Sequence, residues 1–103
     1  MVHKVIWAPR ALADLREIVS YIARDKPNAA RSFGLKLIQT AESAATFPDR
    51  GRMIPKFASP DIRDIPCGPY RIAYRIRREP AHAPFVEIAR IWHTARDDRQ
   101  LSL

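Results

Sequence analysis

One histidine stands in a run that could support proton chemistry. In Arg90-Ile91-Trp92-His93-Thr94-Ala95-Arg96-Asp97, His93 has an arginine three residues to either side. An imidazole can take or give a proton near neutral pH, and guanidinium groups can hold a phosphate. Cleaving RNA through its 2′-hydroxyl needs a base for that hydroxyl, a donor for the leaving oxygen and cations on the phosphate. Arginine serves only the last of these, because it stays protonated. His93 would then be the proton-transfer group, with Arg71, Arg75 and Arg90 as phosphate clamps. The competing reading, a histidine at the polar end of a strand beside Trp92, is favoured because the catalytic set is incomplete.

Other chemistry is sparse. Cys67 is the single cysteine, so an internal disulfide is excluded, and a small buried thiol is the expected role. His3, His82 and His93 are scattered, without the paired spacing of a zinc site, so neither metal nor cofactor is expected. Trp7 and Trp92 are read as core or interface anchors. Asp97 and Asp98 are read as solvated. Charge says more. Lysine and arginine number 18 against 11 acidic residues, a net +7, and 14 of the 18 are arginine. Arg50, Arg52, Lys56, Arg63, Arg71, Arg75, Arg77 and Arg78 stand against Asp61 and Asp64 in one segment, which holds nearly all of the excess. Such a patch attracts polyanions, whether nucleic acid or an acidic protein.

The elements that must position these residues are readable from pattern. With 103 residues the chain is expected to form one domain, 1–103. Residues 3–7, apolar and β-branched before Pro9, read as a strand. Ala11, Leu15, Ile18 and Ile22 recur at helical spacing between Arg10 and Arg24, with Leu12 and Val19 widening the stripe. Pro27 breaks that helix and opens a second, to about Ala45, whose small residues Ala30, Gly34, Ala41 and Ala45 permit close approach. A turn this short makes an antiparallel helical hairpin. Residues 47–61, with three prolines and a glycine, read as a loop. Three strands follow: 62–65, 70–77 and 85–92.

In the middle strand Tyr70, Ile72, Tyr74 and Ile76 alternate with Arg71, Ala73 and Arg75. In the last, Val86, Ile88, Arg90 and Trp92 oppose Phe85, Glu87, Ala89, Ile91 and His93, a mixed pattern that suits a strand with neighbours on both sides. The expected fold is a two-layer α+β domain of order β-α-α-β-β-β, with the hairpin on one face of the sheet. If the tyrosine and isoleucine row faces the helices, the other face is basic. The parity of Arg63 and Arg90 stays open, because a one-residue slip reverses it. The amino terminus has no leader pattern, and no run approaches the length of a membrane span, so a cytoplasmic protein is expected.

Three stretches together resemble the ParE/RelE superfamily of bacterial type II toxins across nearly the whole chain. "APRALADLREIVSYIARDKPNAARSF" looks like that family's first helix and entry to its second. "FPDRGRMIPKF" is similar to its post-helix loop, and "YRIAYRI" with "VEIARIWHTARD" resembles its last two long strands. The resemblance implies a small basic toxin that forms a hetero-oligomer with a cognate antitoxin, whose disordered, acidic, amphipathic segment folds on it. Two activities divide the superfamily. ParE-type members, a branch that includes plasmid stabilisation proteins, poison DNA gyrase, and RelE-type members cleave messenger RNA on the ribosome.

This sequence departs from the nuclease subgroups. "DRGRMIPKF" lacks their glutamate, His93 is followed by Thr94 rather than tyrosine, and the chain has four lysines in all. The expectation is therefore a gyrase-inhibiting binding protein, with an mRNA endoribonuclease as the alternative and a degenerate, non-toxic relative as a third possibility. Its partner-binding residues would be Arg50, Arg52, Lys56, Arg63, Arg71, Arg75 and Arg90.

Overall fold

Prolines set the corners of this chain. In the computed structural model, which describes residues 3–96 and 98–103, strand β1 (Lys4–Trp7) runs into helix α1 (Pro9–Ala23) with Pro9 at its first turn. Ala8 offers no side-chain cap; instead its amide donates to the Ile88 carbonyl at 2.9 Å, which ties the corner to the sheet. Pro27 opens helix α2 (Pro27–Thr46) in the same way. The stripe read along α1 is realised, with Ala11 and Ile18 buried and Leu15 and Ile22 packed against the core, and in α2 Ala30, Gly34, Leu37, Ala41 and Ala44 are buried. The helices approach closely at Gly34, where an added Cβ would stand 3.0 Å from Val19 Cγ2.

Five strands form one sheet in the order β1-β5-β4-β3-β2. Strand β2 (Arg52–Met53) is followed by β3 (Ile62–Cys67), β4 (Tyr70–Arg77) and β5 (Phe85–His93). The α+β class and the element order expected from the sequence stand. To the three consecutive strands read after the hairpin, β1 adds in parallel beside β5 and the proline-rich loop adds the two-residue β2. Gly68, at φ +58°, makes the tight β3–β4 turn with Pro69, a backbone that other residues adopt only with strain.

Ile72, Tyr74 and Ile76 do pack under the helices, with Ile65, Val86, Ile88, Leu37 and Ala41. Burial of side chains such as Leu37, Ile72 and Ile88 contributes about 2 kcal/mol each. The last strand departs from simple alternation. Tyr74 pairs with Ile88 while Ala73 pairs with Arg90, so Ala89 is an extra residue on β5. This bulge lets Ile88 and Ile91, three apart in sequence, both face the helices. Trp92 therefore turns to the other face, into a smaller cluster with Ile54, Ala73 and Leu101 that Phe57, Ile62 and Leu103 flank. The second face is thus partly roofed, where an uncovered basic face was expected.

Tyr74 crosses the core to hold the post-helix loop. Its hydroxyl accepts the Gly51 amide at 3.1 Å and donates to the Pro48 carbonyl. Burial raises its pKa above the ordinary tyrosine value, against a smaller lowering from the Gly51 hydrogen bond. A phenol with a raised pKa contributes stability that is fully present below the unfolded pKa and is lost as pH rises through the folded one. We expect the urea midpoint to fall as pH rises beyond the ordinary tyrosine value of about 10. That fall should be shallower in Tyr74→Phe, and equal slopes would show that Tyr74 ionises as freely folded as unfolded.

Candidate functional site

Two surfaces carry the residues that could do chemistry, and the sheet lies between them. On the helix side, Glu17 and Tyr21 of α1, Tyr70 at the start of β4, and His93 and Arg96 at the end of β5 line a groove of 410 Å³. His93 is exposed, and its ring stands edge-on to Tyr70 at 5.2 Å between centroids. Tyr70 in turn packs against Phe33 at 5.8 Å. The Ala95 amide donates to His93 Nδ1 at 3.0 Å. With that lone pair engaged, the neutral ring carries its proton on Nε2 and presents a donor to the groove. A general base would need the opposite arrangement.

The arginines proposed as its helpers are elsewhere. Arg71 pairs with Trp92 across β4 and β5, and so sits on the face opposite His93, which pairs with Tyr70. Arg71 Nη1 lies 3.6 Å from Asp64 Oδ1. Asp64 is fully buried and takes a two-point grip from Arg52, Nε to Oδ1 at 2.9 Å and Nη2 to Oδ2 at 3.1 Å. Arg75 Nε lies 3.2 Å and Arg77 Nε 3.5 Å from one oxygen, Glu87 Oε1, without hydrogen-bond alignment. Arg90 Nε donates to Asp14 Oδ2 at 2.8 Å, and the Ile91 amide donates to the same oxygen at 2.9 Å. Strand β1 ends beside Ile88, so Asp14 caps the β5 edge where no strand follows.

The loop cations hold backbone. Arg63 shares a face with Tyr74, on the helix side, and donates to the carbonyls of Asp49, Gly51 and Pro60. That register settles the parity left open for Arg63 and separates it from Arg71 and Arg75, with which it was grouped as partner-binding. Lys56 Nζ donates to the carbonyls of Arg99, at 2.8 Å, and Leu101, fastening the segment that roofs the second face. Arg50 lies 4.6 Å over the exposed Phe47 ring.

His93, Arg71, Arg75 and Arg90 are therefore not gathered into one site. Sequence reasoning missed Glu17 and Tyr21, whose i, i+4 spacing on the polar side of α1 was the available signal, and Asp14, which had none. Asp97 lies outside the described residues. Among the described residues, no group of three histidine, cysteine or acidic side chains is placed to hold a metal ion. No helix there is long and apolar enough to cross a membrane.

Comparison with known proteins agrees with the fold. The chain is 38% identical over 94 residues to "Toxin RelE2" of Caulobacter vibrioides, covering 90% of this chain and 97% of that protein. It is 34% identical over 92 residues to "Putative toxin Y4kP" of Sinorhizobium fredii, covering 87% and 86%. Among solved structures it resembles the chromosomal ParDE toxin–antitoxin system from P. aeruginosa, with TM-score 0.71 and 18% identity over 89% of this chain and 96% of that one. It also resembles the RelBE2 toxin–antitoxin complex from Mycobacterium tuberculosis, with TM-score 0.61 and 21% identity over 90% and 99%. At those identities the structures speak for the fold alone. The family model for the ParE toxin of the type II toxin–antitoxin system parDE matches residues 5–98, and the chain belongs to that family of toxins.

Proposed function

We propose that this toxin acts in the cytoplasm by binding and inhibiting DNA gyrase, and that a cognate antitoxin neutralises it through an acidic, amphipathic segment. The separation of His93 from Arg71, Arg75 and Arg90 carries this reading. His93 opens into the helix-side groove with Nδ1 occupied, while Arg71 and Arg75 lie on the other face beside Asp64 and Glu87, and Arg90 is held by Asp14. A phosphate clamp needs cations converging on the point of proton transfer, and these diverge. A net +7 surface suits both an acidic antitoxin segment and association with a DNA-bound enzyme.

A second reading, ribosome-dependent cleavage of messenger RNA, draws support from the name of the Caulobacter relative and from the aromatic pair His93–Tyr70. Two assays on the purified chain separate the readings: gyrase supercoiling of relaxed plasmid, and transcript cleavage on programmed ribosomes. We expect supercoiling to be lost with transcripts intact, and the loss to persist in His93→Ala. Codon-register cuts abolished by His93→Ala would replace the gyrase reading with the nuclease one.

A further inference from the structure

The helix-side groove gathers polar groups that the fold leaves unengaged. Asp14 and Glu17 both line it, and they differ. Asp14 is held by Arg90 and the Ile91 amide, whereas the exposed Glu17 carboxylate has no hydrogen-bond or ion-pair partner among the described residues. The Arg96 guanidinium and the Tyr21 and Tyr70 hydroxyls are likewise without a partner there. Tyr21 is 70% exposed, so its ring is open to stacking. His93 adds one donor at Nε2, because its Nδ1 accepts the Ala95 amide. The buried Ile18 and Ile91 supply apolar wall.

A ligand that satisfies this set is a flat ring with adjacent N–H donors for a carboxylate, an acceptor for an imidazole N–H and an anion for a guanidinium. Guanine has that edge. Its N1–H and 2-amino group match the two oxygens of Glu17, and its O6 accepts from His93. Adenine offers a carboxylate one amino donor where guanine offers two neighbouring ones, so Glu17 favours guanine. Aromatic side chains give the base a stacking face, and a groove of 410 Å³ has the size of a small-ligand site. A nucleic-acid strand suits it less than a single nucleotide. Arg71 lies on the other face of the sheet, Arg96 is the one arginine in the groove wall among the described residues, and Asp14 and Glu17 repel further phosphates.

We infer that the helix-side groove binds a free guanine nucleotide. The base stacks on Tyr21 and Tyr70, Glu17 accepts from N1–H and the 2-amino group, His93 Nε2 donates to O6, and Arg96 takes the phosphate. The inference goes beyond the choice of target, because it concerns a small ligand and is tested with neither gyrase nor ribosomes present. Failure of the gyrase reading leaves it standing, and its own failure leaves that reading untouched.

The test titrates guanosine 5′-monophosphate into the full chain, followed by calorimetry and by amide shifts. We expect saturable binding, with the shifts centred on Glu17, Tyr21, Tyr70 and His93. Glu17→Gln should weaken it about tenfold, because the amide turns a donor toward the donors of guanine. Arg96→Ala should weaken it about tenfold as well and flatten its salt dependence. Both side chains are exposed, and unchanged circular dichroism would confirm that each variant folds. Inosine 5′-monophosphate, which lacks the 2-amino group, should bind about tenfold more weakly than the guanosine nucleotide. Equal binding of adenosine 5′-monophosphate would overturn the inference, as would insensitivity to both variants or shifts centred on Arg71 and Arg75. So would binding seen only with a hexauridine strand carrying one central guanosine, and not with the free nucleotide.

Discussion

Gly51→Ala is expected to lower stability by about 2–4 kcal/mol, measured as a shifted urea midpoint at unchanged slope. The cause is not backbone freedom, because Gly51 sits at φ −66° and ψ 155°, which alanine adopts readily. It is space. A Cβ there would stand 2.6 Å from the Tyr74 hydroxyl and 2.7 Å from the Asp64 carbonyl oxygen. Tyr74 is fully buried and bonded to Pro48 and Gly51, and the Asp64 backbone is paired with Ala73 in the sheet. Neither neighbour can yield without losing a hydrogen bond. The glycine of "GRMIP" is thereby explained, and its neighbours follow: Arg52 grips Asp64, Ile54 is buried in the second cluster, and Pro55 begins a short 3-10 turn. A loss below about 0.5 kcal/mol would show that the loop slides away from Tyr74 at little cost.

Asp64→Asn is expected to cost about 2 kcal/mol while preserving side-chain shape. The carboxylate is fully buried and is the counter-charge for two guanidinium groups. An amide can accept from one of them and turns a donor toward the other. The figure stays well below that for a wholly buried pair because the Arg52 side chain is 42% exposed and can be re-solvated. Thermal unfolding of the variant in low and high salt tests the assignment. A deficit that salt removes entirely would mean that Asp64 acts through long-range charge alone, rather than through the two-point contact with Arg52.

Periodicity was the legible part of this chain. The four-residue recurrence of Ala11, Leu15, Ile18 and Ile22, and the strict alternation from Tyr70 to Ile76, specify which face is buried because burial repeats with the backbone's own period. Two features broke that link. The bulge at Ala89 shifts parity without leaving any mark in residue type, so the alternation read along 85–93 held only as far as Ile88. The two-residue β2 is too short to show a period. The functional residues were harder for another reason. Arg90 meets Asp14 across 76 positions, and Arg71 and Arg52 converge on Asp64 from different strands. Counting charges gave the sign of the surface, but which cations are already neutralised depends on tertiary pairing that no local pattern records.

The carboxylate of Asp14 on the β5 edge also bears on how such a chain stays dispersed. Sheets grow into fibrils by recruiting strands at unpaired amides, and the long, apolar β5 would be a ready template past the point where β1 ends. Asp14 occupies the Ile91 amide with an acceptor that carries charge and offers no onward ladder. At the opposite margin β2 is only two residues long and carries Arg52 on one face. Onward pairing is thus obstructed at these two places, past the end of β1 on β5 and at the two-residue β2.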